Sequence, residues 1–202
     1  MVVDEIGAGV STNAERVALV GDETVGNVAR AALFAALTGA LAYVSFQLPV
    51  SPVPYTLQVL GVFLAGIFLG PTWGFAAMAL YVVAGAVGAP IFAYGSSGVG
   101  VLVSPFGGYL WSYPLAAGAL GYVAHGRDGL VPTTDVALSR LAVGLTVATA
   151  VVYAFGTVGY AFFGNVGLGA ALLAAVVPFV PGEVLKAVVA VLVARNDRLR
   201  AA

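Results

Sequence analysis

The sequence predicts an all-α integral membrane protein, a compact bundle of six transmembrane helices with both termini cytoplasmic. Of 202 residues, 61% are hydrophobic and 8% are charged, and the mean hydropathy is +1.03. In a soluble domain about a quarter of residues carry charge. What charge there is sits in patches: no Asp, Glu, Lys or Arg lies between Arg30 and Arg127, and from Leu141 to Ala194 only Glu183 and Lys186 are charged. The arginines set the topology. Arg16, Arg30, Arg127, Arg140, Arg195, Arg198 and Arg200 all fall in three stretches that an even number of crossings returns to one side. Cytoplasmic loops carry the excess of Lys and Arg, so that side is the cytoplasm.

Residues 1–28 mix Asp4, Glu5, Glu15, Arg16, Asp22 and Glu23 with small and polar residues, without the apolar run of a signal peptide. They read as a flexible cytoplasmic tail. Residues 29–195 read as the membrane domain, which Gly, Pro and polar interruptions cut into apolar segments at about 31–48, 56–70, 72–88, 105–124, 137–160 and 181–195. Several fall short of the ~20 residues of an ordinary span, as short helices enclosing something would. Residues 196–202 are a short basic cytoplasmic end. A turn is expected at Leu69-Gly70-Pro71, with Trp73 at the inner interface. The stretches 47–55, 89–104 and 161–180 contain no Lys or Arg and read as outward loops. The one histidine, His125, stands beside Gly126 and reads as a solvated loop residue.

Composition also excludes whole classes of function. A net charge of −1 without clustered basic residues points to no nucleic-acid partner. With no cysteine, disulfides, thiolate catalysis and Cys-based metal sites are excluded, and a single histidine leaves no metal site or cofactor expected. A phosphate-binding Gly-x-x-x-x-Gly-Lys-Ser/Thr loop needs a lysine after glycine, whereas the sole lysine, Lys186, follows Leu185. ATP-driven work would therefore belong to another chain. No Ser, His and acid set is within plausible reach, so no catalytic residues are assigned.

The costly residues are Glu183 and Lys186. A charge at the membrane centre costs about 2.5–3.5 kcal/mol on insertion scales, so a retained pair marks a candidate site. Three residues apart on a helix, both head groups lie on nearly one face and can address one small ligand. A structural reading also fits: Pro181 suits a first helical turn, Glu183 favours the positive helix N-terminus, and Lys186 neutralises it. Thr56 and Gln58 follow a proline-rich run and offer uncharged hydrogen-bonding groups. Tyr94, Tyr109 and Trp111 border Gly-rich stretches and provide flat faces with a polar tip, either as a lid and wall or as ordinary interfacial aromatics. In the first segment, Ala31, Ala35 and Gly39, with Ala32, Ala36 and Ala40 alongside, repeat small residues every four positions and let another helix approach closely.

Taken together, Pro54-x-Thr56-Leu57-Gln58, Leu69-Gly70-Pro71, Gly88-x-Pro90-x-Phe92, Pro105-x-Gly107-Gly108-Tyr109-Leu110 and Pro178-Phe179-x-Pro181-Gly182-Glu183-x-x-Lys186 resemble the BioY family. Those are the biotin-binding S components of energy-coupling factor transporters, and the resemblance covers roughly residues 30 to 195. It implies six helices in the plasma membrane, biotin capture from outside, and transport with a transmembrane T component and two cytoplasmic ABC-type ATPases. It makes Glu183 and Lys186 the polar biotin contacts, with Thr56, Gln58, Tyr94 and Tyr109 in the floor, lid or wall. It also makes the small residues of the first helix the T-component docking face; packing inside the bundle is the alternative. The sequence departs from the family at two places, with Glu183 where Asp is usual and Phe106 where Thr is usual. Alternatives of other kinds are an S component for a different vitamin, and an intramembrane enzyme using the charged pair as acid and base.

Overall fold

The computed structural model describes residues 22–126 and 129–196. Arg16, Arg127, Arg198 and Arg200, together with residues 1–21, lie outside the described residues. Helix α1 spans Asp22–Ala42, so residues 22–28, expected in the tail, are already helical. The physical reason is the helix dipole: an acid such as Glu23 is favoured in a first turn, and polar composition there marks a helix start as well as a tail. On α1 the small residues divide into two faces. Ala31, Ala35 and Gly39 are buried with Thr38 against the bundle, whereas Ala32, Ala36 and Ala40 are exposed beside Leu33 and Leu37.

A short antiparallel hairpin follows, β1 Ser45–Gln47 and β2 Pro54–Thr56, with Phe46 opposite Tyr55. It is a small addition to an otherwise all-α fold. Helix α2 runs Gln58–Ala86 but is broken at Gly70, whose φ of 72° and ψ of −169° are open to glycine. Gln58 hydrogen-bonds Tyr81, although 23 residues of straight helix would hold them ~35 Å apart. The two arms therefore run antiparallel about the expected Gly70-Pro71 turn. Pro71 has no N–H, which deprives the Ile67 carbonyl of its helical partner. His125 supplies it from the next helix: its Nε2 lies 2.7 Å from the Ile67 oxygen, and Val131 N–H donates to Nδ1 at 3.2 Å. An acceptor role at Nδ1 puts the proton on Nε2, which then donates to Ile67. His125 is 5% exposed, so the expectation of a solvated loop residue is corrected.

Beyond α2 lie a one-turn 3-10 segment, Ala93–Gly95, and the short α3, Val99–Leu102. Helix α4 is Gly107–His125, α5 is Leu138–Gly164, α6 is Leu168–Ala175, and α7 is Val180–Ala194 after a 3-10 turn at Val177–Phe179. The expected outward loop at 161–180 is thus largely helical. Asn165 in the left-handed region ends α5, and the Leu- and Ala-rich run after Gly167 resumes helix; only Pro178 interrupts it. Among the described residues, four helical stretches are long and apolar enough to cross a membrane: Glu23–Ala42, Gln58–Ala86, Leu138–Gly164 and Leu168–Ala194.

The α2 arms pack most extensively on α4, α4 on α5, and α1 on α2, while α7 closes against α2 and α5. Arg140 caps the end of α4 through the Val123 carbonyl at 3.0 Å. Arg195 holds the Thr134 and Val136 carbonyls at 3.1 and 2.7 Å. Arg30 borders the same region near Gly126 and Leu130. The described arginines therefore gather at one end of the bundle, and the N-termini of α2, α4 and α7 lie at the other.

Candidate ligand-binding chamber

At that other end the hairpin, the 92–106 segment and the first turns of α2, α4 and α7 enclose a cavity of about 430 Å³, within the range usual for small-molecule sites. All six expected binding residues, Thr56, Gln58, Tyr94, Tyr109, Glu183 and Lys186, line it. Glu183 and Lys186 are 6% and 4% exposed, and Lys186 Nζ donates to Glu183 Oε1 at 2.6 Å. Glu183 Oε2 is buried and has no hydrogen-bond partner in the protein. Lys186 Nζ also stands 4.4 Å above the Tyr55 ring, a cation–π contact of about 0.5–2 kcal/mol. The pair is neutral as a unit and leaves one carboxylate oxygen available.

Alternation along β2 explains how the wall is built. Pro54 and Thr56 face the chamber, and Tyr55 turns the other way. There it stacks between Phe46 and Phe179, at 4.8 and 5.9 Å between centroids. It lies directly against Gly182, where any Cβ would collide with the ring. The Pro-Gly-Glu run thus serves two needs: Pro181 starts the helix, and Gly182 lets the hairpin seat under Lys186.

Gln58 is tied into a chain of hydrogen bonds. Thr56 Oγ1 donates to Gln58 Oε1 at 2.9 Å, Gln58 Nε2 donates to the Tyr81 hydroxyl, and Tyr81 donates to the Ile91 carbonyl at 2.8 Å. This chain joins the hairpin, both α2 arms and Ile91, just before the 92–106 segment, so Thr56 and Gln58 brace the chamber as well as face it. Tyr94, 57% exposed, sits in the left-handed region with φ of 57° and forms part of the rim. That conformation costs a non-glycine residue about 1–2 kcal/mol. Tyr43 anchors the adjoining stretch through the Pro90 carbonyl at 2.7 Å.

The hinge between α6 and α7 is fastened by the same logic as the α2 turn. Pro178 cannot pair with the Ala174 carbonyl, and Ser51 Oγ donates to it at 2.6 Å. The Ala175 carbonyl, left over as Phe179 N–H turns back to Val176, receives the Tyr109 hydroxyl. Trp111 does not join this wall: it is 53% exposed and donates to the Leu102 carbonyl at 3.1 Å. One helical position places Tyr109 inward and the other places Trp111 outward, roughly 200° apart.

Sequence reasoning missed Tyr153, Phe179 and Tyr113, which line the chamber. Tyr113 and Tyr153 are phenols within apolar segments, a pattern that does not reveal what the hydroxyl meets. Of the small residues on α1, Ala31, Ala35 and Gly39 are covered by the bundle, as the packing alternative has it, and a Cβ on Gly39 would lie 3.2 Å from Ile91.

Fold and cavity together define a multi-pass integral membrane protein with a buried ion pair in the wall of a ligand-sized, mostly apolar chamber. The chain belongs to the BioY family, whose model matches residues 12–201. It is 36% identical over 170 residues to the biotin transporter BioY of Rhizobium etli, covering 81% of this chain and 88% of that one. Against the probable biotin transporter BioY of Pyrococcus horikoshii it is 37% identical over 169 residues, covering 84% and 94%. The fold matches the crystal structure of the S-component for biotin from an ECF-type ABC transporter. That match has a TM-score of 0.79 at 24% identity and covers 91% of this chain and 95% of that one.

Proposed function

We propose that this chain is the membrane-embedded biotin-capturing S component of an energy-coupling factor transporter in the cell membrane. Family membership and relatives known as biotin transporters support that reading. The observation that carries it is the Glu183–Lys186 pair in the chamber wall, with Oε2 unengaged. An ionised carboxylate accepts hydrogen bonds only, so Oε2 suits a ureido N–H, while the ammonium suits a carbonyl or carboxylate oxygen. Phe92, Tyr109 and Phe179 offer apolar surface to the thioether ring and the valerate chain. Counting the two α2 arms separately, and α6 with α7 as one, gives six crossings. Arginines at the far end support cytoplasmic termini and an outward-facing chamber.

Transport then needs partners: a T component docking on the exposed Ala32, Ala36 and Ala40, and two cytoplasmic ABC-type ATPases. Titration of the purified protein with biotin in detergent tests the reading, with desthiobiotin and biotinamide as probes and thiamine and riboflavin as competitors. Saturable biotin binding without turnover is expected, weakened at least about tenfold by Glu183→Gln, which removes a charged hydrogen bond. Absence of biotin binding, or displacement by another vitamin, would overturn it.

A further inference from the structure

Among the described residues, two buried side-chain polar atoms have no hydrogen-bond partner in the protein: Glu183 Oε2 and the Tyr153 hydroxyl. Both belong to side chains that line the same chamber, and they reach it from different helices, α7 and α5. By contrast, the Tyr81 and Tyr109 hydroxyls are committed to the Ile91 and Ala175 carbonyls. Tyr153 is held by its ring, which packs against both apolar clusters of the protein. A buried hydroxyl left unpaired is costly, and native proteins keep few of them.

The two atoms are chemically complementary. Oε2 can only accept, and the phenol has a proton to donate; yet they do not bond each other. One edge of a cyclic urea or lactam, an N–H beside a carbonyl oxygen, satisfies both at once. We propose that Tyr153 is a specificity-determining residue that donates to the ligand's carbonyl oxygen while Glu183 Oε2 accepts the adjacent N–H. The assignment rests on the biotin reading above and names the part of the ligand that is recognised. Among the described residues, Glu183 and Lys186 are the only charged ones lining the chamber, and they are joined to each other, so the tail carboxylate finds no unpaired cation among them.

Tyr153→Phe tests this in the full-length protein. The variant should bind biotin about tenfold more weakly, as loss of one buried hydrogen bond does. Its ligand-free Tm in detergent should stay at or above that of the wild type, since an unpaired hydroxyl has been removed. Affinity within about twofold of wild type, too small a change for a lost buried hydrogen bond, overturns the assignment. Should the variant fold poorly, wild-type protein decides: a desthiobiotin analogue with the ureido oxygen replaced by sulfur should compete about tenfold less well, because its acceptor is weaker, and equal competition overturns the assignment. If wild-type protein does not bind biotin, the functional reading fails first. If wild type binds and Tyr153→Phe is unchanged, only this inference fails.

Discussion

Glu183 and Lys186 illustrate how a pair can be structural and functional together. Each neutralises the other, and burial makes either one alone expensive: removing one partner of a buried pair costs about 3–5 kcal/mol. Lys186→Ala should therefore lower the Tm in detergent. The double change Glu183→Gln with Lys186→Met should recover most of that loss, because no lone charge remains, yet bind no biotin. Biotin binding by the double variant would reduce the pair to a structural element. These two residues were legible in the sequence because charge in an apolar run has a known cost. Tyr153 was not, since an aromatic in a membrane helix looks the same whether its tip meets lipid, core or ligand. His125 was misread because its role depends on the missing N–H of Pro71, in another helix.

At the level of elements, helix α1 shows what periodicity can and cannot say. A small residue every fourth position marks close approach, and two such stripes one residue apart point about 100° apart on the helix. Sequence could not tell which stripe the bundle uses; packing assigns Ala31, Ala35 and Gly39 to it. Two tryptophan substitutions separate the roles. Ala36→Trp should block assembly with the T component in a pull-down and leave biotin affinity unchanged. Ala35→Trp should overpack the α1–α2 contact and lower folded yield by about 1–3 kcal/mol of stability. Equal effects from both would remove the distinction. The Gly70-Pro71 turn was readable because glycine and proline carry their own backbone rules. The 161–180 stretch was not, since Pro178 could equally end a loop or interrupt a helix.

For the whole molecule, the distribution of charge separates a basic end from a neutral end that holds the chamber. The sequence contains no cysteine, so single cysteines can be introduced without background. Ser97→Cys, in the 92–106 segment, should react with a membrane-impermeant maleimide in intact cells. Asn196→Cys should react only after permeabilisation. The reverse pattern would invert the topology. The gathering of the described arginines at one end was the most legible feature, because arginine placement follows the membrane.

The internal neutrality of the Glu183–Lys186 pair has an electrical consequence. A site that contributes zero net charge cannot offset the charge of its guest, so a carboxylate-bearing vitamin makes the occupied protein one unit more negative. With the cell interior negative, each 100 mV opposes inward passage of that unit by about 2.3 kcal/mol. On the proposed function, uptake of an anionic vitamin would carry one negative charge inward, so the membrane potential would add to the concentration gradient as a load on the transporter.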